Sequence, residues 1–410
     1  MVAELINASD RAAIVFDYSL GQLVHDLQPI LSYARTHRSL TGKAGGGTPA
    51  GDHGGRTYYN QPRREAVTRF PTPERLGAIV AGVVAAALGK RDVALIGSKT
   101  PGAVALRDHD ILAPLFATVK FLFVVRSPLP TINSMMNRRN RARLGLDDWP
   151  FPDVAAAIAE YRQNVRLLLS HVARYPDRCL VVKYEDLIDR FAATAGAIDT
   201  FLGPGFDLAG DSAKLFEVGV QPGATKNVLT PDEQAAVRAA FGAALDTWDR
   251  KALTGLHAGT VDALADCADP LVPGTSQRFD AAARERRYLG AGWSVLQPDG
   301  VWTDGERADL FFTVPADGEY VVSLRASVFL PGPEAALALR FEVDGTDAVR
   351  ATCRSSGPHT FACGPLRFAA GAVQRLTVHV DPARSPLECG ISNDDRRLGL
   401  LLHELSLSWA

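Results

Sequence analysis

The chain has little of what marks a disulfide-stapled or metal-organised protein. It holds 5 cysteines in 410 residues, an odd number, and Cys179, Cys267, Cys353, Cys363 and Cys389 form no C-x-x-C pair and no Cys/His spacing. Neither a disulfide framework nor a zinc site is indicated, and no metal is expected. Long apolar runs are missing too. The longest, Leu76 through Gly89, is 14 residues and is broken by glycine, against the ~20 that a spanning helix needs. Neither sign of charge prevails: 44 basic and 46 acidic residues leave a net −2. General binding of nucleic acid or an anionic membrane is therefore not suggested, and any anion site must be local. The opening residues, Met1 to Phe16, carry acids and no basic-then-apolar run, which argues against a secretory signal. A reducing, cytoplasmic setting is expected.

What is present is ordinary globular chemistry, 47% hydrophobic and 22% charged. The length is about twice the common domain size, so two domains are expected. The hydrophobic period places the break near residue 280. Before it, Val154, Ile158, Tyr161, Val165, Leu168 and Val172 step by four and three, an apolar stripe along one helix. Thr230-Pro231-Asp232-Glu233 reads as an N-cap, a first-turn proline and a capping-box glutamate opening another. Val93–Ile96, Phe121–Val125 and Leu180–Val182 are short and apolar throughout, as strands covered on both faces of a parallel sheet are. Residues 1–280 thus read as α/β.

After the break the period is two. Tyr320, Val322, Leu324, Ala326 and Val328 alternate with residues that include Ser323, Arg325 and Ser327, and Leu337–Val343, Leu376–Val380 and Leu405–Trp409 repeat the pattern. Asp304-Gly305, Asp317-Gly318 and Asp344-Gly345 punctuate these runs as turns. Residues 281–410 are expected to form an all-β sandwich. The stretch from about Arg250 to Arg286 is a linker or a packed connector. Residues 42–55, with seven glycines, read as a surface excursion or as a lid.

The segment Lys120–Arg143 carries the most chemistry. A buried strand ends in Arg126, a proline-bearing turn follows, and Ser134 lies eight residues after the arginine in the first turns of a helix. Ligands bind at strand ends of open parallel sheets, and a helix N-terminus presents N–H groups to an anion. A guanidinium fork and a hydroxyl placed there make a phosphate site. Arg138, Arg139, Arg141 and Arg143 add positive charge, either to that site or as a solvated helix face.

Arg126-Ser-Pro with Ser134, followed by Val182-Lys-Tyr-Glu-Asp-Leu187, resembles the sulfotransferase superfamily, with its strand-end arginine, a serine eight residues on and a V-K/R-Y-E-D-L segment. Lys99-Thr100-Pro101 looks like the lysine-bearing segment of Golgi-type and bacterial members. The resemblance covers roughly residues 1–250 and implies a P-loop-like, three-layer α/β fold. It further implies that Arg126 and Ser134 hold the 3′-phosphate of 3′-phosphoadenosine-5′-phosphosulfate (PAPS), that Lys99 lies near the transferring sulfonate, and that Lys226 contacts phosphate from a basic loop. Adenosine 3′,5′-bisphosphate would be the product nucleotide. Tyr184, Glu185 and Asp186 are mainly structural in such proteins. A Walker motif is rejected, because Gly97-Ser98-Lys99-Thr100 lacks the upstream glycine.

Two parts of the family's pattern are not met. The 5′-phosphosulfate loop, of the form G-x-x-R/K-S/T-G-S/T-T, occurs nowhere; Val2–Ser9 looks like the helix that follows it, so the chain is expected to begin after its first strand. The acceptor base is open: His53 and Glu65 lie in the relevant interval, with Glu65 beside Arg63 and Arg64 as an ion pair would have it. In the β half, Trp293 is expected in the core, whereas Trp302 fits either a core or a sugar-stacking role. The expected activity is sulfonate transfer from PAPS to a glycan or cell-surface acceptor. The alternatives are a non-catalytic nucleotide- or glycan-binding relative and a structural protein.

Overall fold

The computed structural model describes residues 2–7, 9, 11–16, 20, 23–24, 73–91, 93–99, 112–143, 151–203, 206, 208, 227–248, 268–280 and 287–410. The α/β elements, in chain order, are α1 (Val2–Asn7), β1 (Ala12–Phe16), α2 (Pro73–Ala87), β2 (Leu95–Lys99), β3 (Phe121–Val125), α3 (Pro128–Arg143), α4 (Val154–Arg174), β4 (Cys179–Lys183), α5 (Tyr184–Asp189), α6 (Phe191–Leu202) and α7 (Pro231–Trp248). Ten strands follow among the described residues: β5 (Ser276–Arg278), β6 (Trp293–Gln297), β7 (Gly300–Asp304), β8 (Arg307–Phe312), β9 (Gly318–Val328), β10 (Leu337–Val343), β11 (Thr346–Cys353), β12 (His359–Phe368), β13 (Gln374–Asp381) and β14 (Leu398–Trp409). Contacts divide the chain into two units, Met1–Phe121 with Phe191–Gln221, and Leu122–Arg190 with Pro222–Ala410.

In the first unit β1 and β2 pair in parallel, from Ala12 opposite Leu95 to Phe16 opposite Lys99. A second strand over Val93–Ile96 is expected from sequence; the observed one begins at Leu95 and runs on through Gly97 and Ser98, poor strand formers by propensity. At Gly97 a Cβ would lie 2.6 Å from Ile14 Cδ1, so a larger residue there would have to displace the end of that side chain. Val80 and Val84 of α2 and Ala13 of β1 fill a small core with Leu112. Lys90 ties the entry to β1, its Nζ donating to the carbonyls of Asn7, Ser9 and Ala12 at 2.5–2.7 Å.

In the second unit β3 neighbours β4, and α3, α4 and α7 pack around Ile132, Met136, Tyr161, Val165, Val237 and Phe241. The capping signals are realised. Asp153 accepts from Ala156 N–H at 2.8 Å to open α4, and Thr230 and Glu233 exchange hydrogen bonds at 2.9 and 3.2 Å to open α7. The β-sandwich stacks a sheet of order β11-β10-β13-β8 on one of order β12-β9-β14-β7-β6, with β5 on β14. Alternation holds as expected: Tyr320, Val322, Leu324 and Ala326 are each 0% exposed. Asp344 and Gly345 take φ of 47° and 87°, the two left-handed residues that a tight β10–β11 hairpin needs. Trp293 is buried, and its Nε1–H donates to Asp309 O at 2.7 Å.

The described part of the connector is packed. Arg162 of α4 pairs with Asp269 at 2.6 Å. Buried Arg166 donates to Leu289 O at 3.2 Å, and Ser170 Oγ accepts from Ala291 N–H at 3.0 Å. Gly290 is compelled by this seam, because a Cβ there would lie 2.5 Å from Ser170 Oγ.

Candidate active site

Arg126 follows the last residue of β3 and precedes α3 by one residue. Three groups hold it there. Its backbone carbonyl accepts from Tyr161 Oη at 2.9 Å; its guanidinium carbon stands 4.8 Å from the centroid of the Tyr184 ring; and the next residue, Ser127, donates its N–H to Glu185 Oε1 at 3.1 Å. The Lys-Tyr-Glu-Asp segment therefore has a concrete structural role. It places an aromatic face under the arginine and a carboxylate on the strand end, while Asp186 pairs with Arg190. Tyr161 is visible in the sequence only as one member of an apolar stripe; its hydroxyl contact with Arg126 is not.

The helix that follows departs from expectation. Its start offers few N–H donors, because Pro128 and Pro130 have none, Ser127 N–H is engaged by Glu185 and Thr131 N–H closes on Ser127 O at 3.2 Å. An anion placed at this junction would meet side chains rather than a free helix end. Arg126 is half-buried, and Ser134, in the second turn, is exposed. One face of Asn133 is committed elsewhere, its Oδ1 accepting from Val228 N–H at 2.8 Å and so tethering the approach to α7. A planar fork backed by an aromatic ring, with a hydroxyl one helix segment on, fits a phosphate monoester.

Of the other expected site residues, Lys99 ends β2 in the first unit and is exposed. Arg126 and Ser134 share one strand–helix junction in the second. Lys226, His53, Glu65 and the glycine-rich stretch 42–55 lie outside the described residues. In the sandwich, Trp302 is half-buried and meets Phe329 edge-on at 6.5 Å.

Residues 50–207 match the profile of the Sulfotransferase family. A search of curated proteins finds no match. Among solved structures, the CBM36-1 domain of a multidomain xylanase from the hindgut metagenome of Trinervitermes trinervoides is similar at 11% identity and a TM-score of 0.23, over 33% of this chain and 98% of that one. CsCBM6-3 from Clostridium stercorarium, in complex with cellobiose, is similar at 9% identity and a TM-score of 0.23, over 34% of this chain and 98% of that one.

Proposed function

We propose, on the premise that residues 50–207 belong to the sulfotransferase family, that the chain transfers sulfonate from PAPS to a hydroxyl of a glycan. In this reading residues 1–280 carry the transfer and residues 281–410 serve the acceptor. The observation that carries it is Arg126: a guanidinium at a strand end, lying over the Tyr184 ring inside the matched region. Arg126 and Ser134 bind the 3′-phosphate, and Lys226 adds a further contact. PAPS supplies the sulfonate. Lys99 stabilises the negative charge that grows on the leaving phosphate oxygen, a contribution of the kind that is worth about 10²–10³ in kcat when a donor is removed. Cytoplasmic residence belongs to the same reading and is supported by Cys179, Cys353 and Cys363, buried as free thiols.

Calorimetric titration with adenosine 3′,5′-bisphosphate tests the phosphate site. Arg126→Ala should weaken binding by about 10–100-fold, as loss of a charge-assisted contact does. Lys99→Ala should leave that affinity within about threefold and instead lower transfer of labelled sulfonate, since a donor matched to the transition state is lost. No heat with the intact chain would overturn the nucleotide assignment. Binding without transfer to any glycan would favour the non-catalytic relative.

A further inference from the structure

The net charge of the chain is −2, yet one face of the sandwich gathers basic side chains, three arginines and a histidine, in a line. In the sheet β11-β10-β13-β8, Arg350 lies opposite Arg340, Arg340 opposite His379, and His379 opposite Arg307. Residues directly opposite one another project from the same face. Four neighbouring strands therefore each contribute one basic side chain to a single row, about 14 Å from end to end at the usual strand spacing of ~4.8 Å.

Like charges set directly opposite destabilise a sheet, so such a row needs a counterweight. It is provided by carboxylates on the same sheet, two residues along the strand for Arg340 and Arg307 and three for Arg350. Glu342 and Asp347 accept from Arg340 Nη1 at 2.9 and 2.7 Å, Asp347 also holds Arg350, and Asp309 holds Arg307 at 3.3 Å. These contacts are one-sided. Arg340 meets both of its carboxylates through the same nitrogen, and Arg350 uses Nε and Nη2. Each of the three guanidiniums is thus anchored to carboxylate through part of its donor fork.

The row lines a cavity of about 730 Å³, to which the last residue of α4, Arg174, adds a fourth arginine. Besides Glu342, Asp347 and Asp309, which pair with the row, two carboxylates line the cavity, Glu306 and Asp381, and Glu306 is itself engaged by Arg397 at 2.8 Å. The remainder of the lining is aliphatic or threonine, apart from the imidazole of His379. With no phenyl, tyrosyl or indole ring to stack on, neither a neutral sugar face nor an unpaired nucleobase has its usual platform. Guanidinium forks favour planar or tetrahedral oxyanions. The length of the row and the volume suit a short run of sugar residues.

We propose that this row is a binding site for an acidic polysaccharide, recognised through sulfate or carboxylate groups along its chain. The inference goes beyond the reading above by giving the sandwich a ligand class, and its test uses no donor nucleotide, so it stands or falls separately from sulfonate transfer.

Titrate the full chain with oligosaccharides of sulfated dextran, of polygalacturonate and of neutral dextran, and with a DNA duplex of similar length. At least one acidic oligosaccharide should bind, and the stronger of the two identifies sulfate or carboxylate as the recognised group. Binding should weaken at least tenfold between low salt and 0.5 M NaCl, the screened behaviour of exposed charges. Arg340→Ala and Arg174→Ala should each weaken it at least fivefold. Arg174 keeps the second variant informative if the first disturbs the ion pairs of the sheet. The proposal is overturned by equal binding of neutral dextran, by equal binding of the DNA duplex, by no binding of either acidic chain, or by wild-type affinity in both variants with unchanged melting temperatures.

Discussion

At the scale of single residues, the candidate site depends on how one arginine is held. Arg126 has its carbonyl fixed by Tyr161 and its guanidinium laid over Tyr184. A cation over an aromatic face gains about 0.5–1 kcal/mol at a partly exposed position, enough to bias the fork toward one direction before a ligand arrives. Tyr184→Leu should accordingly weaken adenosine 3′,5′-bisphosphate binding by about two- to fivefold, far less than Arg126→Ala, while Tyr184→Phe keeps the ring and the affinity. Calorimetry on the two variants checks this; equal loss in Phe and Leu would transfer the role to the hydroxyl. The arginine and Ser134 were legible as a spacing, because eight residues is a short-range pattern. The partners of the arginine were not, since Tyr161 and Tyr184 lie 35 and 58 residues further along the chain, and nothing local in either tyrosine distinguishes a support from a core residue.

At the scale of elements, α4 has two tasks on one cylinder. Its apolar stripe, including Tyr161, Val165 and Leu168, packs into the helical core. Arg162, Arg166 and Ser170 face the connector and the β6 approach, through Asp269, Leu289 and Ala291. The stripe was readable from its period. The polar seam was not, because Arg and Ser on a helix read as solvated until their partners are known. Arg166 is 3% exposed and also donates to Gln163 at 3.1 Å. Arg166→Met would leave the Leu289 carbonyl without this donor and Asp269, 3.9 Å from Arg166 Nη1, with one cation fewer, a cost of about 2–3 kcal/mol by the usual penalty for unsatisfied buried polar groups. Thermal melting should fall by several degrees, and amide exchange at Leu289–Ala291 should quicken. An unchanged melting temperature would mean that the seam is solvated rather than structural. The sandwich strands, by contrast, follow directly from period-two alternation, and the Asp-Gly turn at 344–345 follows from its need for two left-handed residues.

At the scale of the molecule, the near balance of charge conceals local order that responds to acid. Asp347 is held below the usual carboxylate range by its hydrogen bonds to Arg340 and Arg350, and Asp394 is lowered by its bond to Arg396. For Glu342 burial pushes upward, but the bonds from His379 and Arg340 outweigh it and the carboxyl is lowered from its ordinary 4.5. A carboxyl depressed in the folded state contributes stability that is fully present above its unfolded pKa and is lost as pH falls through its folded value. Asp344 works the other way, since burial raises it from 3.8 and acid relieves the cost of its charge. Three lowered groups against one raised group set the sign. Melting temperature should fall slightly below about pH 6.5, because burial holds the His379 imidazole below its ordinary 6.5 and the unfolded chain takes up that proton first. It should decline further below about 4.5, the ordinary glutamate range, as the carboxylates that orient the arginine row protonate. Because these pairs are largely exposed, salt should flatten the decline. A calorimetric pH series at low and high salt decides it: a melting temperature constant down to pH 3 would mean that the row holds its geometry without its carboxylates, and that the charge ladder across β11, β10, β13 and β8 is incidental to the stability of the sandwich.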